Sequence, residues 1–136
     1  MLTKFDQLDE KRQVWARKEQ AALRDHLFGR AGHGTCSLCG EKLPVHLIVA
    51  AHIKPRAQCS EKERRDFLNI VPMCLLGCDA LFERRYVAVV NGKVVFRLPE
   101  EFSDSRLLAI RKVLREGGIP GWTPERKKYF DWHSKQ

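Results

Sequence analysis

A chain of 136 residues with 43% hydrophobic content has material for one ordinary core, so a single domain over residues 1–136 is expected rather than two. Lys and Arg number 25 against 17 Asp and Glu, a formal charge of +8 and a sequence pI near 9.5, which favours polyanionic partners, with nucleic acid first among them. The longest apolar run, Leu47 to Ala51, is far too short to cross a bilayer, and the chain is polar and charged from Lys4 onward, so neither a membrane span nor an export signal is read and a cytoplasmic location is expected.

Residues 5–30 are rich in helix formers, with Leu8, Trp15, Leu23 and Leu27 at roughly helical spacing, and predict a long first helix. Asp6 is the expected cap, with Gly29 and Gly32 bracketing the end. Residues 32–40, dense in small side chains, read as a tight turn presenting Cys36 and Cys39. Residues 43–53 are apolar and β-branched apart from Pro44 and predict one or two strands that end at His52. A loop over 54–60 and a charged helical turn over 61–67 lead to Asn69, and residues 74–85 read as a short helix sending Leu76, Leu81 and Phe82 inward. Residues 86–96 alternate strand formers around Asn91-Gly92, a dipeptide suited to a two-residue hairpin turn with positive φ at both positions. A helix over 104–116, closed by Gly117-Gly118, is followed by a last basic helix from Pro124 to about His133, opened by Thr123.

Two groups of residues carry chemistry. Cys36-x2-Cys39 and Cys74-x3-Cys78 each bring two sulfurs together, 34 residues apart, and four thiolates suit tetrahedral zinc. Five cysteines in a reducing compartment argue against disulfides, and Cys59 stands alone. Buried free thiols or a redox pair are the competing reading of the pairs. The second group suits phosphodiester hydrolysis, which needs a base, a cation and a group to orient the base. His52 is the candidate base and Asn69 the residue that orients it or binds metal. Asp79 and Glu83, four apart on one helix face, offer hard oxygen ligands for Mg²⁺ or Mn²⁺.

Taken in order, Cys36-Ser37-Leu38-Cys39-Gly40, Ala50-Ala51-His52-Ile53-Lys54-Pro55, Asn69-Ile70-Val71-Pro72-Met73-Cys74 and Cys78-Asp79-Ala80-Leu81-Phe82-Glu83 resemble an HNH (ββα-metal) endonuclease of the zinc-containing, restriction-enzyme-like branch, over about residues 36–96. The resemblance implies an α+β fold: a β-hairpin and helix clamped on a divalent metal, a remote four-cysteine zinc site, an N-terminal helix (about 5–30), and C-terminal helices (about 104–134). It implies that His52 is the general base, Asn69 the central Asn, and Asp79 and Glu83 the metal positions. Asp79 stands where the family has a metal-binding His, and Ala51 where some relatives have an Asp. Those departures leave two readings: a metal-dependent DNA endonuclease, as used in restriction or defence, and a non-cleaving reader of DNA, modified DNA included. A zinc-stabilised protein-interaction domain is a third. Lys54, Arg56, Arg84 and Arg85 are the expected phosphate contacts, and 5′ phosphates the expected product ends. One such centre cuts one strand, so cutting both would need a homodimer, a partner subunit or two encounters.

Overall fold

The structure, a computed structural model, describes residues 3–97, 104–116 and 119–136. Among these residues it is a mixed α+β arrangement of five α-helices and three small antiparallel two-stranded sheets. Helix α1 (Lys4–Phe28) contains no Gly or Pro to interrupt it. Its cap is Thr3 and not Asp6: the Thr3 hydroxyl accepts from the Asp6 N–H at 3.1 Å while the Asp6 carboxylate accepts from the Thr3 N–H at 3.1 Å, a reciprocal box that places Asp6 one turn further in. Gly29, at φ 54°, closes the helix through an N–H bond of 2.8 Å to the Asp25 carbonyl.

The apolar stripe expected along α1 is buried only near its end. Leu23 is buried and Leu27 half-buried, whereas Trp15 is 68% exposed and every described residue from 3 to 15 is exposed. Only the later turns lie against the sheet; among the described residues the earlier ones meet no neighbouring element that buries them.

Strands β1 (His33–Thr35) and β2 (Lys42–Pro44) pair around the Cys36–Gly40 turn. That turn is closed by the Gly40 N–H on the Cys36 carbonyl at 3.0 Å, with Gly40 at φ 74°. After a 3₁₀ turn at Val45–Leu47 comes β3 (Ile48–His52), antiparallel to β4 (Ile70–Cys74) with His52 opposite Ile70 and Ile48 opposite Cys74. Pro72 hides β4 from a propensity reading. It is accommodated because its ring faces an edge of a two-stranded sheet, and its carbonyl still accepts from the Ser37 N–H at 2.8 Å. The strand therefore runs through Cys74, and the helix expected from residue 74 starts later, as α3 (Cys78–Glu83). Leu76, expected inside, is exposed in the intervening turn, while Leu81 and Phe82 are buried.

The 52–70 connection holds the four-residue α2 (Glu61–Arg64), capped by Ser60. Strands β5 (Val87–Val90) and β6 (Lys93–Phe96) form the expected hairpin, with Asn91 at φ 50° and Gly92 at φ 79°, the geometry that dipeptide favours. Helix α4 (Ser105–Glu116) buries Leu114 but leaves Leu108 and Val113 exposed; its expected terminator, Gly117-Gly118, lies outside the described residues. A 3₁₀ turn at Pro124–Arg126, capped by Thr123, opens α5 (Lys127–Ser134).

Side chains alternate across β3, and the two faces meet different partners. Ala50 joins Ile70, Leu23 and Leu27 in a small cluster under α1, whereas Val49 and Ala51 border the main core of Val71, Met73, Leu81, Phe82, Val87, Val89, Leu114, Tyr129 and Phe130. His52, two residues beyond Ala50, shares the α1 face. Gln20 and Arg24 of α1 anchor the same strand by donating to the Ala50 and Ile48 carbonyls at 3.1 and 2.6 Å.

Candidate functional site

The two cysteine pairs come together. The sulfurs of Cys36, Cys39, Cys74 and Cys78 lie within 4.8 Å of one another, and three of the four residues are buried. The Cys74 N–H donates to Cys36 Sγ at 3.4 Å, a bond that favours the ionised sulfur. Mutual hydrogen bonding holds the Cys36 thiol far below its ordinary value and pushes Cys39 and Cys78 far above theirs, so the four cannot all ionise without a cation among them. Four soft ligands in this arrangement fit a zinc ion. Cys59 stays outside the group; its thiol donates to the Lys54 carbonyl at 3.2 Å.

His52 ends β3, and its Nε2 lies 3.3 Å from the Arg64 carbonyl and 3.8 Å from Glu19 Oε1. A carbonyl only accepts, so Nε2 carries the hydrogen and Nδ1 the basic lone pair. Burial holds the imidazole below its ordinary value, against the opposing pull of the Arg64 carbonyl and the Glu19 carboxylate. The ring is thereby neutral near pH 7, the state a base requires.

Asn69 is fully buried, and its side chain hydrogen-bonds to the chain around the His52 ring and not to the ring itself. Its Oδ1 accepts from the Lys54 N–H at 2.8 Å, and its Nδ2 lies within reach of the Lys54 and Glu63 carbonyls and Cys59 Sγ, at 3.2, 3.3 and 3.3 Å. It pins the chain immediately after His52 to the chain that supplies the Arg64 carbonyl. Its link to the imidazole runs through the backbone, and both ends of its amide are engaged by the protein.

Asp79 and Glu83 fall on one side of α3, as their spacing requires, and with His52 they line one cleft of about 280 Å³ whose walls also include Arg56, Arg85, Phe82 and His133. Burial, then the charges of Glu83 and Cys74, push the Asp79 carboxyl above its ordinary value. A cation between the two carboxylates would relieve that repulsion. Among the described residues the cysteines are the only three or more such ligand atoms gathered within 4.8 Å. Asp79 and Glu83 therefore line the cleft with His52 without being drawn into a closed cage.

Of the expected phosphate contacts, Arg85 lines this cleft and Arg84 is exposed beside it. Arg56 also lines it but is held by Glu19, at 3.2 and 3.3 Å. Lys54 faces a different hollow, bound by both Glu63 oxygens at 3.0 Å and lying 5.3 Å from the centre of the Trp132 ring. Glu19 and His133 border the site, and neither is among the site residues expected from sequence. Glu19 lies four residues before the buried Leu23, the only sequence hint that it faces the sheet. His133 is buried and stacked on Phe82, ring centres 3.6 Å apart.

No family model matches the chain, and no curated protein matches it. Among the described residues no helix is long and apolar enough to cross a membrane.

Proposed function

We propose that this chain is a metal-dependent DNA endonuclease of the HNH type, with β3, β4 and α3 as the ββα unit and His52 as general base. The observation that carries the reading is the cleft itself, where a half-buried, neutral imidazole with its proton committed to a backbone carbonyl faces the same space as two carboxylates and Arg85. Magnesium or manganese held by Asp79 and Glu83 would supply positive charge to the phosphate and the departing oxygen. His52 Nδ1 would take a proton from the attacking water. The Arg64 carbonyl, fixed through Asn69, holds the ring in the required tautomer, and Glu19 favours the imidazolium that forms. Arg84 and Arg85 would bind flanking phosphates. The four-cysteine zinc joins the knuckle after β1 to the end of β4 and the start of α3, so it fixes the helix that carries the acids.

The test is incubation of the protein with plasmid DNA and Mg²⁺ or Mn²⁺. Nicking is expected from the native chain and a loss of about a hundredfold or more from His52→Ala; cutting that survives the substitution unchanged removes His52 from the mechanism. A second reading, a non-cleaving DNA-binding protein on the same scaffold, is favoured by one observation: the carboxylates and imidazole are not gathered into a cage. It predicts salt-sensitive DNA binding without hydrolysis in any divalent metal.

A further inference from the structure

Helix α1 outruns the sheet it packs on, and its contacts show in which direction. Arg24 donates to the Ile48 carbonyl, Gln20 donates to the Ala50 carbonyl, and a Glu19 oxygen lies 3.8 Å from His52 Nε2. Moving toward the N-terminus of the helix thus means moving toward the His52 end of β3, so the two elements are antiparallel and the first turns of α1 project past that end. Every described residue from 3 to 15 is exposed, and at 1.5 Å per residue the stretch is roughly 20 Å long. It forms an arm beside the cleft.

The charges on this arm are sorted by side. Lys4, Lys11 and Lys18 recur every seven residues, close to two helical turns, so they stand in one row. All three are exposed, and none forms an ion pair among the described residues. Asp6, Asp9 and Glu10 lie roughly 150° around the helix from that row, with Arg17 among them. Leu23 marks the line of α1 that meets the sheet. The lysine row falls on the same side of that line as Glu19, which reaches His52 and Arg56 at the cleft, whereas the acids fall on the side of Gln20 and Arg24. We propose that the first turns of α1 lie along the phosphate backbone of duplex DNA running out of the cleft, with Lys4, Lys11 and Lys18 as its phosphate contacts. The proposal rests on the DNA reading above and extends the bound length. Lys4 to Lys18 spans roughly 21 Å of helix, the axial length of about six base pairs. A polyanion on the lysine side leaves the acids facing away from it, and the three lysines surrender no ion pair to bind. Such contacts hold a duplex in place without reading its sequence.

The test separates the row from net charge. One variant combines Lys4→Gln, Lys11→Gln and Lys18→Gln; a second combines Lys42→Gln, Lys93→Gln and Lys112→Gln, which removes the same charge from exposed positions that do not line the cleft. Gln has nearly the helix propensity of Lys, so both chains are expected to fold. Binding of the zinc-loaded chains to a labelled duplex of about 30 base pairs is followed by fluorescence anisotropy over a salt series, without magnesium or manganese so that nothing is cut. The arm variant is expected to bind about tenfold or more weakly at low salt and to flatten the dependence of log K on log salt by about 3, whereas the second variant changes that slope by less than about 1. An unchanged slope in the arm variant, or equal losses in the two variants, overturns the proposal and leaves the cleft reading standing. Should the native chain fail to bind duplex DNA at low salt, the arm and the DNA reading fall together.

Discussion

Gly77 meets two demands at once. It sits at φ 152°, a conformation that side chains rarely adopt, and a Cβ built there would lie 2.5 Å from Ile110 Cδ1. Its position between Cys74 and Cys78 explains the three-residue spacer, since the chain must turn out of β4 and into α3 while both sulfurs face one point. Gly77→Ala is expected to lower stability by about 1–3 kcal/mol, read from denaturant midpoints. Acid reports on the imidazoles. Burial holds both His52 and His133 below the ordinary 6.5, so the unfolded chain binds their protons first. Their contribution to stability is full above that value and is lost as pH falls through it and on through the folded-state values. Between about pH 7 and pH 5 the native chain should therefore lose more stability than His133→Gln, a difference that thermal melts at matched pH will show. His52 was legible from sequence because it closes an apolar strand run. Glu19 and His133 were not, because which carboxylate or imidazole reaches a strand end from a distant helix is decided by packing.

At the scale of elements, local chemistry read well and tertiary compensation did not. Asn91-Gly92 specified its hairpin, and Thr123-Pro124 its helix start, because a turn or a cap needs only its own residues. Strand β4 was missed because its proline matters only if both edges of the strand must pair. In α1 the apolar period was read correctly as helix, but period alone does not say how far a neighbour extends alongside it. The cysteine pairs were legible by spacing, and their placement gives them a mechanical role, tying the turn after β1 to both ends of the β4–α3 connection. With zinc in the four-cysteine site, a chelator is expected to lower Tm by roughly 10 °C or more, and with it to release α3. Calorimetry with and without added Zn²⁺ checks this, with one zinc per chain restoring the melt.

For the whole molecule, the 25 Lys and Arg side chains are not equally available to a polyanion. Lys54 and Arg56 are engaged by Glu63 and Glu19, and Lys127 by Asp131, whereas no ion pair of Arg84 or Arg85 occurs among the described residues. Under the proposed function, Arg84→Ala should weaken duplex binding uniformly across sequences and flatten the dependence of log K on log salt by about 1, measured by fluorescence anisotropy over a salt series. Order along the chain adds a last consequence. Phe82 is gripped by His133, and Asp66, near the end of the 52–70 connection, is gripped by Tyr129, so α3 and that connection both lean on α5. During synthesis the strands, the knuckle and α3 emerge well before residue 133 does. The cleft is consequently finished last, when α5 arrives behind Phe82 and closes the wall that the earlier motif residues leave open.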